Sequence, residues 1–411
     1  MKTHLDLKTF AFFILLTLVL GTGCSDSDLP LSFDQNQIDK THNSSHISRG
    51  EALEIANRFL NRPLLSRCSG MEVDFQYVVK SDATRSACGF SDTLAYVINY
   101  PNNMGFAIIA SDRRVNPVLA FAQEGEFTFE NEVSKANFID RIGFYMESSK
   151  DSEPLSNYPS ILEDCFIINP VPQTSLSQNA PFNKYVDIEH PGYPTGCVAV
   201  ATALIMLHAK SELEYHETVY HCKSIMEALS SKRDINTRHI YTYEQAVDSI
   251  AKIMYWIGKD TGMKYENNAG STYIDSVFNL LLQLDYKPSK IQRFKNEIAF
   301  NYVKDNYMLY MRGVDTIKLA GHAWICDGGA YCVDNKNRPT KIIDRYFHCD
   351  WGWGGYCNGN FSGKVFSPVD TINSDTLNFI PMQYFAVSRG LGLVDGPVIP
   401  PVGPSFKPKY K

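Results

Sequence analysis

The chain has 411 residues, 44% of them hydrophobic and 12% aromatic, with a formal net charge of −6. That length exceeds one ordinary core and suits about two or three folding units, and the composition excludes an intrinsically disordered chain. The negative balance, without any long basic run, excludes nucleic acid as an expected partner.

In chain order, MKTHLDLK opens with two lysines, and TFAFFILLTLVLG is an apolar stretch too short for a comfortable membrane span. The small residues of GTGCSDSD lead into Cys24 and resemble a bacterial lipobox, in which the cysteine is acylated and becomes the mature N-terminus. Gly21 stands where that pattern prefers leucine, with Leu20 one residue early. Residues 1–24 are therefore expected to be a lipoprotein signal peptide ending at Cys24; an ordinary secretory signal is the competing reading. The run Ser25-Asp26-Ser27-Asp28 resembles tags that send some lipoproteins to the cell surface. The expectation is an exported protein, lipid-anchored in the bacterial outer membrane, touching the membrane through that lipid only. Surface exposure and release of the mature form both stay open.

Residues 25–45 are polar and read as a flexible tether. At Ser48 a helix is predicted, with a serine N-cap, Glu51 three residues on, and apolar Leu53, Ile55, Ala56, Phe59 and Leu60. Leu94, Tyr96, Ile98 and Tyr100 alternate, PNNMG turns and GFAIIAS returns, which predicts a hairpin; VNPVLAFAQEGEFTF predicts a further strand pair. Residues 46–148 thus form a small α+β unit. Residues 149–172, rich in Ser, Pro and acidic side chains, read as a linker open to cleavage. The second unit, 173–395, starts with helices predicted over 198–211, 243–258 and 271–284. It ends in strands over 307–312, 323–326, 330–334 and 342–347, an α+β order without βαβ alternation. Residues 396–411 are a loose proline-rich tail.

Ten cysteines are present. With Cys24 lipidated and Cys197 reserved for chemistry, an even number remains, compatible with disulfides outside the cytoplasm; their pairing stays open. His348 and Cys349, near Cys326, Cys332 and Cys357, hint at zinc, but no pair has C-x2–4-C spacing, so no metal site is expected.

Four segments carry chemistry. In YPTGCVAVATALIM, Cys197 follows a turn and opens a helix, where the macrodipole and free N–H groups favour a thiolate; a buried core cysteine is the competing reading. AGHAWICDGG supplies His322 at a strand start, with Trp324 and Cys326 on the same face, and Gly321 allowing close backbone approach. In HCDWGWGGYCNGNF, Asp350 is placed to orient His322 by accepting from one ring nitrogen, with Trp351 shielding that bond. TSLSQNAPFN offers the Gln178 amide, which with the Cys197 backbone N–H would hold an oxyanion.

GCVAVATALIM, GHAWICDGG and DWGWGG, in that order and preceded by SQNAPFN, resemble the streptopain family of papain-like cysteine peptidases over about residues 178–365. LAYVINYPNNMGFAIIASDRRVNPVLAFAQEGEF resembles that family's propeptide. The resemblance implies a two-lobed peptidase domain, a helical lobe plus an antiparallel β lobe, behind a small α+β prodomain that inhibits it within the same chain until a cut in 149–172. It implies Cys197 as nucleophile, His322 as general base and later acid, Gln178 as oxyanion donor and Trp351 as a wall of the site. ENNAGSTY matches a loop bordering the family's cleft, which makes Asn268, Ala269, Gly270 and Ser271 substrate-binding candidates beside Gly196, Gly321 and Trp353. The family usually has Asn before Trp-Gly-Trp-Gly; Asp350 stands here, which bears on the pH optimum. The implied substrates are proteins or peptides, and the implied cofactor is none. Two rivals use the same features: a surface lipoprotein that binds ligands on an inactive peptidase fold, and a Cys-His acyltransferase.

Overall fold

The computed structural model describes residues 45–62, 73–79, 92–128, 141–155, 165–172, 174–230, 240–267, 269–314, 321–334, 341–366 and 382–390. The readings for Cys24, the tether before residue 45, Cys68, Cys88, Asn268 and the tail lie outside them.

The helix predicted at Ser48 runs Arg49–Phe59, and the Ser48 hydroxyl accepts from the Glu51 N–H at 3.3 Å, the capping bond that the sequence pattern encodes. Its buried Ala52 and Ala56 lie against Tyr96, Ile98 and Ile109 of a sheet. That sheet begins β1 (Asp74–Val79), β2 (Thr93–Asn99), β3 (Phe106–Ala110) and β4 (Val118–Ala122), all antiparallel neighbours. The predicted hairpin is β2–β3. The predicted strand pair after it is one strand only. Past β4, the Asn99 side chain donates to the Phe127 carbonyl at 3.0 Å and accepts from its N–H at 2.9 Å, taking the main-chain groups a strand partner would use.

In the second unit the helix Cys197–Ala209 is buried along its length from Val198 to His208. It packs between the helix Tyr243–Asp260 and two strands, β11 (Tyr307–Val314) and β12 (Gly321–Asp334). Small side chains at 199, 201 and 203 allow that close approach. The helix predicted over 271–284 is Ile274–Gln283, and the short strands β6 (Glu212–Tyr215), β7 (Thr218–His221), β8 (Lys264–Glu266) and β10 (Gln292–Arg293) lie between the helices. β12 pairs on its other side with β13 (Lys341–Asp350), and β13 with β14 (Gly359–Ser362); β15 (Gln383–Ser388) pairs β11. The order of helices first and antiparallel strands last is the α+β arrangement expected.

Two features were absent from the sequence reading. Within the expected linker, Cys165–Ile168 forms β5, which pairs β12 and is joined to it by a Cys165–Cys332 disulfide. And the two units share one sheet. β4 pairs β14 through Asn360↔Phe121 and Phe361↔Ala120, making a sheet of eleven strands continuous from β1 to the strands of the second unit. Side chains reinforce this seam: the Tyr346 hydroxyl donates to the Val118 carbonyl at 3.1 Å, and the Phe121 and Tyr346 rings meet edge-on at 5.3 Å. The buried Asn116 and Asp344 side chains are hydrogen-bonded across it.

Candidate active site

Cys197 is the first residue of its helix, and Gly196 before it holds φ at +87°. A Cβ on Gly196 would stand 2.8 Å from the Gly270 carbonyl oxygen, so only glycine lets the thiol's turn lie under that strand. Gly270 belongs to β9 (Ala269–Ser271), within the loop expected to border the cleft, and Met263 lies against both glycines.

The thiol accepts a hydrogen bond from the Ala323 N–H, with N···S at 3.4 Å. That peptide group directly follows His322, so the two segments, 126 residues apart in sequence, meet at the sulfur. The His322 ring is half-buried among three tryptophans, with centroid distances of 5.9 Å to Trp324, 6.2 Å to Trp351 and 5.0 Å to Trp353. Trp324 lies on the face expected for it.

The orienting acceptor is not Asp350. His322 Nε2 is 3.1 Å from the main-chain carbonyl oxygen of Trp351, whereas the Asp350 carboxylate accepts from the Gly352 N–H at 3.0 Å and from the Asn358 side chain. A carboxylate two residues before a positive-φ glycine (φ +72° at Gly352) is captured locally as an Asx turn, and that turn aims the next carbonyl at the imidazole. A Cβ on Gly352 would meet Val200 at 2.8 Å, so the same turn seats the tryptophan loop on the Cys197 helix. Burial pushes the Asp350 carboxyl up to about 6.

Gln178 reaches the site from a third direction. Its carbonyl accepts from the Thr195 N–H at 2.8 Å, next to Gly196. Ser177 pairs with Trp353, and the Gly354 N–H donates to the Leu176 carbonyl at 2.8 Å. Gln178 is thus clamped between the cysteine turn and the tryptophan loop. Gly321 opens β12 opposite Val314, exposed. The sequence reading missed Thr195, Ala323 and Asn358, whose main-chain groups or main-chain partners are involved, although all three stand inside the quoted segments.

Electrostatically the site is in a neutral form. Burial raises the Cys197 thiol above its ordinary value of 9.0, outweighing the N–H groups of Ala323, Val198 and Cys197 that favour the thiolate. The helix-terminus effect expected to lower it is present but smaller. Burial among the tryptophans lowers His322 to about 4, against a weaker upward pull from the Trp351 carbonyl. A raised thiol pKa means little thiolate at neutral pH and more as pH climbs past that value. The full-length protein is expected to react slowly with iodoacetamide at Cys197 at pH 7, and faster with rising pH beyond 9; adduct mass against time at each pH checks it. A rate already at plateau at pH 7 would contradict the buried, protonated thiol.

Comparison with known proteins shows what the chain is similar to. The Peptidase C10 family model matches residues 176–361, and the Spi protease inhibitor model matches residues 44–140. Streptopain of Streptococcus pyogenes is 25% identical over 334 residues, 71% of this chain and 79% of that protein. The thiol protease/hemagglutinin PrtT of Porphyromonas gingivalis is 24% identical over 378 residues, 78% of this chain but 39% of that longer protein. A solved fragment of prointerpain A from Prevotella intermedia is similar with a TM-score of 0.49 and 17% identity, covering 76% of this chain and 98% of that one.

Proposed function

We propose, for a chain that is a streptopain-family cysteine peptidase with an inhibitor-like propeptide ahead of it, that Cys197 and His322 perform the hydrolysis and that residues 46–148 hold them back. One observation carries the assignment: the Cys197 sulfur rests against the peptide N–H that joins His322 to Ala323.

In the working enzyme His322 takes the thiol proton and the Cys197 thiolate attacks the scissile carbonyl carbon. The oxyanion accepts from the Cys197 N–H and the Gln178 side-chain amide, a pair of donors each worth about 3 kcal/mol in comparable sites. His322 gives its proton to the leaving amine. Water, deprotonated by the same ring, then releases the acyl group. The Trp351 carbonyl holds the ring at Nε2, and Asp350 serves by shaping the turn that presents that carbonyl. Ala269, Gly270 and Ser271, whose strand lies on the Gly196 turn, and Trp353, beside His322, are the residues that contact substrate. Protein or peptide substrates are cut once the N-terminal unit is detached.

The test is an epoxide-type inhibitor of thiol peptidases applied to activated protein. One adduct, on Cys197, with parallel loss of peptide hydrolysis is expected; hydrolysis that survives full labelling refutes the assignment. We propose as well that Cys24 carries lipid and anchors the precursor in a bacterial outer membrane, which the small-residue run before it supports. Labelling with a radioactive fatty-acid precursor should be lost in Cys24→Ala and retained in the parent; equal labelling of both ends that reading.

A further inference from the structure

β12 meets a cysteine on each side. Cys332 lies directly opposite Cys165 of β5, and that pair is the disulfide already described. Six residues earlier on β12, Cys326 lies directly opposite Cys349 of β13, with the sulfurs 3.6 Å apart and both residues wholly buried. The two pairs have the same geometry class: antiparallel neighbours in direct register on a shared strand. Such cross-strand positions bring Cβ atoms within about 4.5–5.5 Å, close to what a disulfide spans.

We infer that Cys326 and Cys349 form a second disulfide in protein folded under oxidising conditions. The oxidant is a small disulfide of the glutathione class. One cysteine thiolate attacks a glutathione sulfur and expels glutathione thiolate; the second thiolate attacks the resulting mixed disulfide and expels the other. Two protein thiols lose two protons and two electrons, and one glutathione disulfide becomes two thiols. Because both sulfurs end fully buried, the exchange takes place while β12 and β13 are still pairing. The bond fastens the strand that carries His322 to the strand that delivers Asp350 and leads into Trp351, so the imidazole and its carbonyl acceptor are held by a covalent cross-link as well as by ladder hydrogen bonds. β13 is then tied to β12, and β12 to β5.

The sequence permits a clean measurement, since chymotryptic cuts after Tyr331 and Tyr356 separate Cys326 from Cys332 and Cys349 from Cys357. Full-length protein folded with glutathione disulfide is denatured, capped with N-ethylmaleimide without reduction, digested and mapped by mass. The expected map has one linked pair holding Cys326 and Cys349 and another holding Cys165 and Cys332, each falling apart on reduction. Maleimide on both Cys326 and Cys349 in that sample overturns the inference, as does either cysteine linked to any other.

Discussion

Replacing Cys197 by alanine is expected to lower peptide hydrolysis by about a million-fold, the scale recorded when a peptidase loses its nucleophile, and to leave the chain at full length. The first effect follows from chemistry: among the described residues no other thiol is placed to substitute. Cys222, Cys326, Cys349 and Cys357 are buried, and the Ala323 N–H donates to the Cys197 sulfur and to none of them. The second follows if the enzyme trims its own N-terminal unit, as the inhibitor-like match over residues 44–140 supports. Electrophoresis of purified Cys197→Ala beside the parent chain, with melting temperature as a check on folding, reads both effects. If the pure variant converts to the short form unaided at the parental rate, self-processing is wrong even though the nucleophile stands.

Removing the Cys165–Cys332 disulfide, in Cys165→Ala/Cys332→Ala, is expected to destabilise the second unit by about 4–5 kcal/mol. The two cysteines are 167 residues apart, so the cross-link withholds more entropy from the unfolded chain than a short-loop disulfide would. β5 otherwise has little to hold it: four residues, with Phe166 and Ile167 about half exposed at 50% and 47%. Urea denaturation followed by tryptophan fluorescence should show the midpoint shift, and the parent in reductant should approach the variant. Coincident midpoints for all samples would show that the strand pairing alone carries the stability.

Much of this was legible in the residues themselves. The Ser48 cap and the β2–β3 hairpin announce themselves through short-range rules, one a hydroxyl three residues before a glutamate and the other a two-residue period broken by Asn and Gly. The convergence of Cys197, His322, Trp351 and Gln178 followed from four quoted segments and their resemblance to a family. What was hidden is non-local or main-chain. β4 and β14 pair across a separation of more than two hundred residues, and no periodicity encodes that choice of neighbour. The acceptor for His322 is a carbonyl, which every residue has, so the eye goes to the neighbouring Asp350, whose side chain is taken by its own turn. The direction of the thiol shift was missed for a related reason. A helix start is visible in sequence; the amount of protein stacked above it is not.

If the N-terminal unit is cut away, the seam between β4 and β14 decides what the rest of the chain exposes. Only two strand-register pairs join it, so few main-chain bonds resist separation, yet their loss would turn Gly359–Ser362 into a bare margin beside the tryptophan loop. Peptide groups that had answered one another across the join must then be met by solvent or by a newcomer lying alongside. At four residues that margin would be too brief to template a stack of like molecules, and its open main-chain groups would suit a single extended chain lying alongside.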